Sequence, residues 1–383
     1  MNIFHYRTSW AFLILISFII SGSLKAQNYD PELIKGIDYV YHVKFDSADA
    51  VFDGFIKKHS DDPSGYFFKV LSQWWKINLD KYDESFDDEL FKRVDKAEEI
   101  ADSRLDKNEN DNYAMFFKGG AIGYRGLLRS VRESWLKAAE DGKEALNLLQ
   151  KAYELNDKNK DAVFGVGIYN YFAEYVPEAY PVLKPLMLIF PKGDKLKGLK
   201  QIQETADNSQ YAKIEANYIL TYLNQRYENN FTEAQKFSDL LKNQYPENPV
   251  FERMFAANLI GLSKWNESLN EWKAIAAKCD SIQTGFNERL KREAHYYVAL
   301  SLSKMGRLKE GETNLFIARD LNAKLDKDEE TPYGAYTFMM LGMLNDLKGD
   351  HGTAVSFYDK VIAMKEFGNS HVDAERFKKS GYK

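Results

Sequence analysis

Across 383 residues the chain has a single cysteine, Cys279, so no disulfide can form within it. A lone cysteine of this kind reads as a small core residue rather than a reactive one. Histidine is almost as scarce. The six, at 5, 42, 59, 295, 351 and 371, show no His-Glu-x-x-His spacing, and Cys279 has no second cysteine to bind metal with. No Gly-x-Ser-x-Gly elbow and no phosphate-binding Walker loop occur. Gly165-Val166-Gly167 opens a Gly-x-Gly string but runs into Ile168-Tyr169-Asn170, with no third glycine and no strand before it. The 57 Asp and Glu guarantee chance carboxylate pairs, and none stands out for acid–base work. The expectation is a protein that is not an enzyme and holds no metal or cofactor. Positive charge is also in deficit. The formal charge is −5, and removing residues 1–26, which carry Arg7 and Lys25 and no acid, takes it to −7. That excludes a general nucleic-acid binder, which needs a basic footprint.

Long apolar runs are missing except for Ala11–Ile20, behind Arg7 and ahead of Ser21-Gly22-Ser23-Leu24-Lys25-Ala26. This pattern predicts a secretory signal peptide over 1–26, cleaved before Gln27. Ten helical residues rise about 15 Å, roughly half a hydrocarbon core, which argues against an anchor. The Lys25-Ala26-Gln27 ending resembles signal peptides of the Bacteroidetes. No cysteine stands near the cleavage point, so a lipoprotein is not expected; the destination is the periplasm or beyond. Strand alternation and sustained heptads are absent too, which predicts an all-α monomer.

What the sequence does have is a repeat. Tyr333–Ala363 reads as helix, turn, helix, with Lys348-Gly349-Asp350 as the break. Gly342 and Ala354 are small, Tyr358 is large four residues later, and Val361 follows by three. Two antiparallel helices meet closely at such small residues while the large one fills the space above. The same steps of twelve, four and three recur at Gly36, Ala48, Phe52 and Phe55, and at Tyr222, Ala234, Ser238 and Leu241. Weaker copies run through Ala256, Ser268, Trp272 and Ile275, and through Ala299, Gly311, Leu315 and Ala318. On this spacing the chain resembles the tetratricopeptide repeats, whose hairpins cannot bury their apolar faces alone. The resemblance implies a right-handed superhelical solenoid of about eight hairpins over 27–368. Residues 369–383 then form a polar capping helix and tail, with the helix near His371–Phe377.

Two stretches depart from the pattern. Hairpin three carries Gly119, Gly120, Gly123 and Gly126 in its first helix, each costing about 1 kcal/mol against alanine. Close approach by a neighbouring backbone is the expected reason, a ligand lying on that face the alternative. Hairpin four holds an insert, Val176–Pro191, with Pro177, Pro181, Pro185 and Pro191 around Leu186-Met187-Leu188-Ile189-Phe190. The insert is expected to plug the stack through Leu186, Ile189 and Phe190, given room by Gly119, Gly123, Gly165 and Gly167. A partner or membrane contact through those three is the alternative. Gly165, Gly167, Pro177, Gly193, Asp194, Gly198 and Leu199 resemble the fungal inclusion-clearance family of tetratricopeptide proteins and its animal relatives. That resemblance covers about a third of the chain and implies a scaffold with no catalytic residue.

Binding is therefore the expected function. In the family pattern, first helices line the concave side, which places Arg226, Tyr227, Arg253, Tyr296, Lys304 and Tyr336 in the groove. Tyr and Arg are favoured at interface hot spots, while packing between first helices is the plainer use for each Tyr. The expected partner is a protein or peptide. The alternative is a glycan, since the chain is 14% aromatic and resembles the helical SusD-type envelope proteins of Bacteroidetes.

Overall fold

Three of the first helices begin where a capping side chain and a proline coincide. Asp30 accepts the Glu32 amide at 2.7 Å ahead of Pro31, and Asp62 the Ser64 amide at 2.9 Å ahead of Pro63. Asn248 accepts the Val250 and Phe251 amides ahead of Pro249. Each side chain satisfies amides that have no partner inside the helix, and proline at the first position loses no bond. The computed structural model describes residues 30–179, 184, 191–281, 283–327 and 329–383. Among the described residues lie seventeen α-helices and no strand.

The helices pair in chain order. Pro31–Tyr41 (α1) packs on Phe45–Lys58 (α2), and Pro63–Leu79 (α3) on Asp87–Leu105 (α4). Asn112–Val131 (α5) packs on Trp135–Leu155 (α6), and Lys160–Ala179 (α7) on Lys195–Asn208 (α8). The pattern continues with Lys213–Arg226 (α9) on Phe231–Gln244 (α10) and Pro249–Gly261 (α11) on Trp265–Asp280 (α12). Glu288–Lys304 (α13) with Glu312–Leu325 (α14), and Pro332–Leu347 (α15) with His351–Ala363 (α16), complete it. Ser370–Ser380 (α17) then covers α16, three residues longer at its end than the sequence suggests. Each second helix also packs on the first helix of the next pair, so the core is a continuous stack.

The small–large spacing does what it predicts. A Cβ added to Gly342 would overlap the Tyr358 ring, and one added to Gly36 would overlap the Phe52 ring. Ala354, Tyr358, Val361, Ala48 and Phe52 are all fully buried. Six hairpin turns share a residue in the left-handed region: Val43, Glu133, Asn229, Ser263, Gly306 and Gly349, with φ between 51° and 85°. Two of the six are glycine, which is why the other turns carry little signal in the sequence.

Helix packing accounts for most of the glycines that the sequence offered as room for the insert. Space beside Gly119 is taken by Leu148 and Leu149 of α6, and space beside Gly165 also by Leu149. Gly167 sits against Gln201, Ile202 and the Gly198 carbonyl of α8. Gly119 and Gly167 let the two helices of their own hairpin approach, and Gly165 lets α7 approach α6 of the preceding hairpin; an added Cβ at Gly123 meets nothing within 4 Å. Pro177 does not end a helix, since α7 runs through it to Ala179. Leu186, Ile189 and Phe190, like residues 1–26, lie outside the described residues. Past the insert, the Pro191 carbonyl accepts the Tyr169 hydroxyl at 2.5 Å, returning the chain to α7.

A feature that repeat spacing does not predict is that the curl closes on itself. Tyr41 on α1 and Trp75 on α3 pack edge-on at 5.3 Å, and both reach Phe251 of α11. Trp75 also meets Tyr218 of α9 at 5.3 Å, and Tyr41 meets Tyr245 at 5.6 Å. Asn248 donates to the Tyr41 carbonyl at 2.8 Å, across 207 positions of sequence. His42 Nδ1 lies 2.6 Å from Glu247. The first two hairpins are thereby sewn to the fifth and sixth through one shared aromatic core.

Candidate binding site on the inner face

At the centre of this seam is a carboxyl group. Glu215 on α9 is buried and accepts Trp75 Nε1 at 2.5 Å and the Tyr41 hydroxyl at 3.2 Å. Burial raises its pKa to about 7, against those two hydrogen bonds. The group faces aromatic side chains from α1, α3, α5 and α9, and no cation pairs with it. It is a structural joint of the seam, closed off from any ligand.

Beside the joint the inner face stays open, and three cations collect there. Arg253 on α11 donates from Nε to Glu293 of α13 at 2.6 Å, yet its side chain is 38% exposed. Glu293's charge, working against burial, holds the guanidinium firmly protonated. Lys81 arrives from the other arm, on the turn between α3 and α4. Solvent reaches it, but protein surrounds it on most sides, as expected inside a curl. That burial, and then the charge of Arg253, lower its ammonium to about 8. Arg226, exposed at the end of α9, follows Gln225, whose amide donates to the carbonyl of Met254 next to Arg253, and its charge reaches the Tyr297 phenol. Among the described residues neither Lys81 nor Arg226 has a carboxylate partner, and Lys81 rests over the Trp74 ring at 5.7 Å.

Aromatic walls flank these charges. Tyr297 stacks on Trp272 at 4.7 Å, and Tyr333 stands edge-on to Tyr296 at 5.3 Å and to Tyr297 at 6.3 Å. Arg292, paired with Asp326 at 2.6 Å, lies over Tyr333 at 4.7 Å. On the facing arm Trp74 and Tyr124 approach to 6.1 Å. Burial pushes the phenols of Tyr296, Tyr297 and Tyr333 up, and that of Tyr218 to about 12, so all remain neutral donors. The surrounding amides are already committed. Gln225 donates to the Met254 carbonyl at 2.8 Å, Asn258 to Phe231 and Gln235, and Asn224 to Leu220. What the inner face offers a ligand is cations, phenols and ring faces.

Of the residues read from the sequence, Arg226, Arg253 and Tyr296 meet on this face. Tyr227 instead lies in a knot with Tyr171, Phe172, Tyr175 and Tyr222, at 4.6 to 6.3 Å. Tyr336 donates its hydroxyl to the Phe367 carbonyl at 2.7 Å, tying α15 to the segment before α17. Lys304 is exposed at the end of α13, and no contact joins it to the other cations. Glu293 and Lys81 were missed. Glu293 stands six residues before Ala299, a groove-facing position of the repeat. Lys81 sits in a turn, and only closure of the curl brings it inside.

Helix pairs meeting at small residues, stacked without a strand among the described residues, define an all-α tetratricopeptide-like solenoid. No protein-family model matches the chain. No curated protein matches it either. Solved structures do. Yeast Tom70 is 15% identical, with 91% of this chain and 81% of that one covered, at a TM-score of 0.39. A human IFIT1 dimer with m7Gppp-AAAA is 9% identical, with 92% and 86% covered, at 0.41. Cut9 with Hcn1, of an APC/C hetero-tetramer, is 11% identical, with 90% and 82% covered, at 0.31.

Proposed function

We propose that this protein is an exported, non-enzymatic scaffold that takes a segment of a protein partner on the inner face of its curl. The observation carrying this is the state of that face. Lys81 and Arg226 are open to solvent and unpaired among the described residues, and Arg253 stays 38% exposed beside its carboxylate. Gathering like charges on one inner face does nothing for the fold, since they repel one another. Half-exposed tyrosines and arginines around them are the residue types that dominate binding energy. Export rests on the pattern of residues 1–26, and N-terminal sequencing of the secreted form, expected to begin at Gln27, tests it. Binding is tested by a photo-crosslinker at Tyr296, among the aromatic rings of the inner face, against one at Phe316, exposed on α14. A defined adduct is expected from Tyr296 alone, lost when Arg226→Ala and Arg253→Ala are added. Equal adducts from both positions would refute an inner-face site.

A further inference from the structure

Lys81, Arg226 and Arg253 come from α9, α11 and a turn that precedes them by more than a hundred positions. With Glu293 as the one carboxylate shown to engage them, they leave an excess of positive charge in a chain that is net negative. Lys81 is not there by drift. Its own carbonyl accepts Arg132 Nη1 at 2.5 Å, and Arg132 is in turn paired with Asp87 at 2.6 Å. One residue earlier, Asp80 takes Asn287 Nδ2 at 3.3 Å and lies 3.7 Å from Arg289. Asn287 also donates to the Leu79 carbonyl at 3.3 Å. One residue later, the Tyr82 ring carries the Arg289 guanidinium at 3.9 Å. The turn is clamped from both arms; Arg289 stands one helical turn before Glu293, the carboxylate that holds Arg253, so the clamp sets Lys81 beside Arg253, whose charge it feels. Two like charges held together by surrounding structure repel one another unless something negative lies between them.

We infer that Lys81, Arg226 and Arg253 form a composite oxyanion site, assembled only when the curl is closed, that receives an acidic group of the ligand. The inference builds on the proposed inner-face function and specifies its chemistry. Guanidinium groups give forked donors to a carboxylate or phosphate, Lys81 adds a point charge, and the neighbouring phenols supply further donors. Because the cations belong to both arms, a bound anion bridges the seam and stabilises closure. Ligand affinity and closure are therefore linked, each favouring the other. The oxyanion is either a carboxylate carried on a peptide or a free inorganic ion, and these two sources separate experimentally.

The test follows the rate at which an amine-reactive reagent labels Lys81, read by peptide mass spectrometry, with Lys304 as the internal control. The full chain is labelled at fixed ionic strength in chloride, in chloride with inorganic phosphate, or in chloride with hexaglutamate. Binding that moves Lys81 by one pKa unit slows its labelling about tenfold and leaves Lys304 unchanged. Protection by hexaglutamate assigns the site to peptide carboxylates, and protection by phosphate alone assigns it to a small oxyanion. Arg226→Gln, at an exposed position without a fold contact, is expected to weaken the protection without altering circular dichroism. In wild type the protecting probe also raises the melting temperature, and Asn287→Ala, which loosens the clamp, reduces that shift. Lys81 labelling that neither probe slows overturns the site. The proposed function fails separately: if hexaglutamate protects Lys81 while the Tyr296 crosslinker captures nothing, the anion site stands without a protein partner.

Discussion

The two ends of the solenoid are stabilised in different ways. In the last hairpins, α13 to α16, apart from the hold of Asn287 and Arg289 on residues 79–82 at the head of α13, contacts run between helices close in sequence, and the clusters around Leu315, Leu341 and Tyr358 are small and local. In the first hairpins the core is large and aromatic, and it takes in Tyr218, Tyr245 and Phe251 from the middle of the chain. A stack of repeats is held by its neighbours and tolerates loss of an end. A seam is held by contacts that span some two hundred positions, such as Asn248 to Tyr41. Damage there disconnects two arms that are each still stacked.

Trp75→Ala should show this most strongly. Trp75 is fully buried, touches Tyr41, Tyr218 and Phe251, and donates to Glu215. Removing it is expected to cost about 3–5 kcal/mol, the range for large aromatic to alanine changes in a core. Hydrogen exchange should rise in α1, α3, α9 and α11 and stay slow in α13 to α16. Uniform loss of protection along the chain would mean that the arms are not separable.

A titration probes the same joint at slightly smaller amplitude. Glu215 has a folded pKa of about 7, above its ordinary 4.5, so the folded protein holds a proton that the unfolded chain has already released. Its contribution therefore weakens as pH rises from about 4.5 to about 7 and is level above that. The total change is on the order of 3 kcal/mol. Glu98 and Glu252 are also raised by burial and His295 is lowered, so the wild-type curve alone is ambiguous. The difference between wild type and Glu215→Gln isolates the joint. Denaturant melts between pH 5 and 8 should show the two proteins closest at the acid end, with Glu215→Gln, whose amide keeps both hydrogen bonds and does not ionise, increasingly the more stable up to about pH 7.

At the other end a hydroxyl separates packing from binding. Tyr336 donates to the Phe367 carbonyl, so Tyr336→Phe should cost about 1 kcal/mol and leave crosslinking from Tyr296 unchanged. Loss of crosslinking at full stability would return Tyr336 to the binding face.

How legible each region is follows from the same contrast. Gly342, Ala354 and Tyr358 announce the last hairpin because the contact they make is between residues a few turns apart. Arg253 and Arg226 could be placed inward for the same reason, since helical periodicity fixes the face. Tyr227 and Tyr336 share that periodicity, but their neighbours, an aromatic knot and a carbonyl near the cap, are set by packing across elements. Lys81 was invisible because its neighbourhood depends on closure, and closure depends on shape complementarity among Tyr41, Trp75, Tyr218 and Phe251. No spacing encodes that. The close approach expected at the α5 glycines is there, with Leu149 of α6 lying against both Gly119 and Gly165, while Gly167 accommodates Gln201 and Ile202 of α8.

The smallest predicted effects lie in the hairpin turns, where the two regions can be compared without touching the core. Gly349, between α15 and α16, and Glu133, between α5 and α6, both occupy the left-handed region, at φ 85° and 57°. A Cβ at Gly349 meets nothing within 4 Å, so Gly349→Ala tests backbone conformation alone and should cost about 1–2 kcal/mol. Glu133 already bears that strain and is exposed. Glu133→Gly relieves about 1–2 kcal/mol of steric cost and gives back about 0.5–1 in chain entropy, a net gain of roughly 0.5–1 kcal/mol. The two substitutions should therefore shift the melting temperature in opposite directions although the turns are alike. If Glu133→Gly destabilises, its side chain supports the turn by a contact that the relief of strain does not offset, and the turns of the two regions differ in more than residue type.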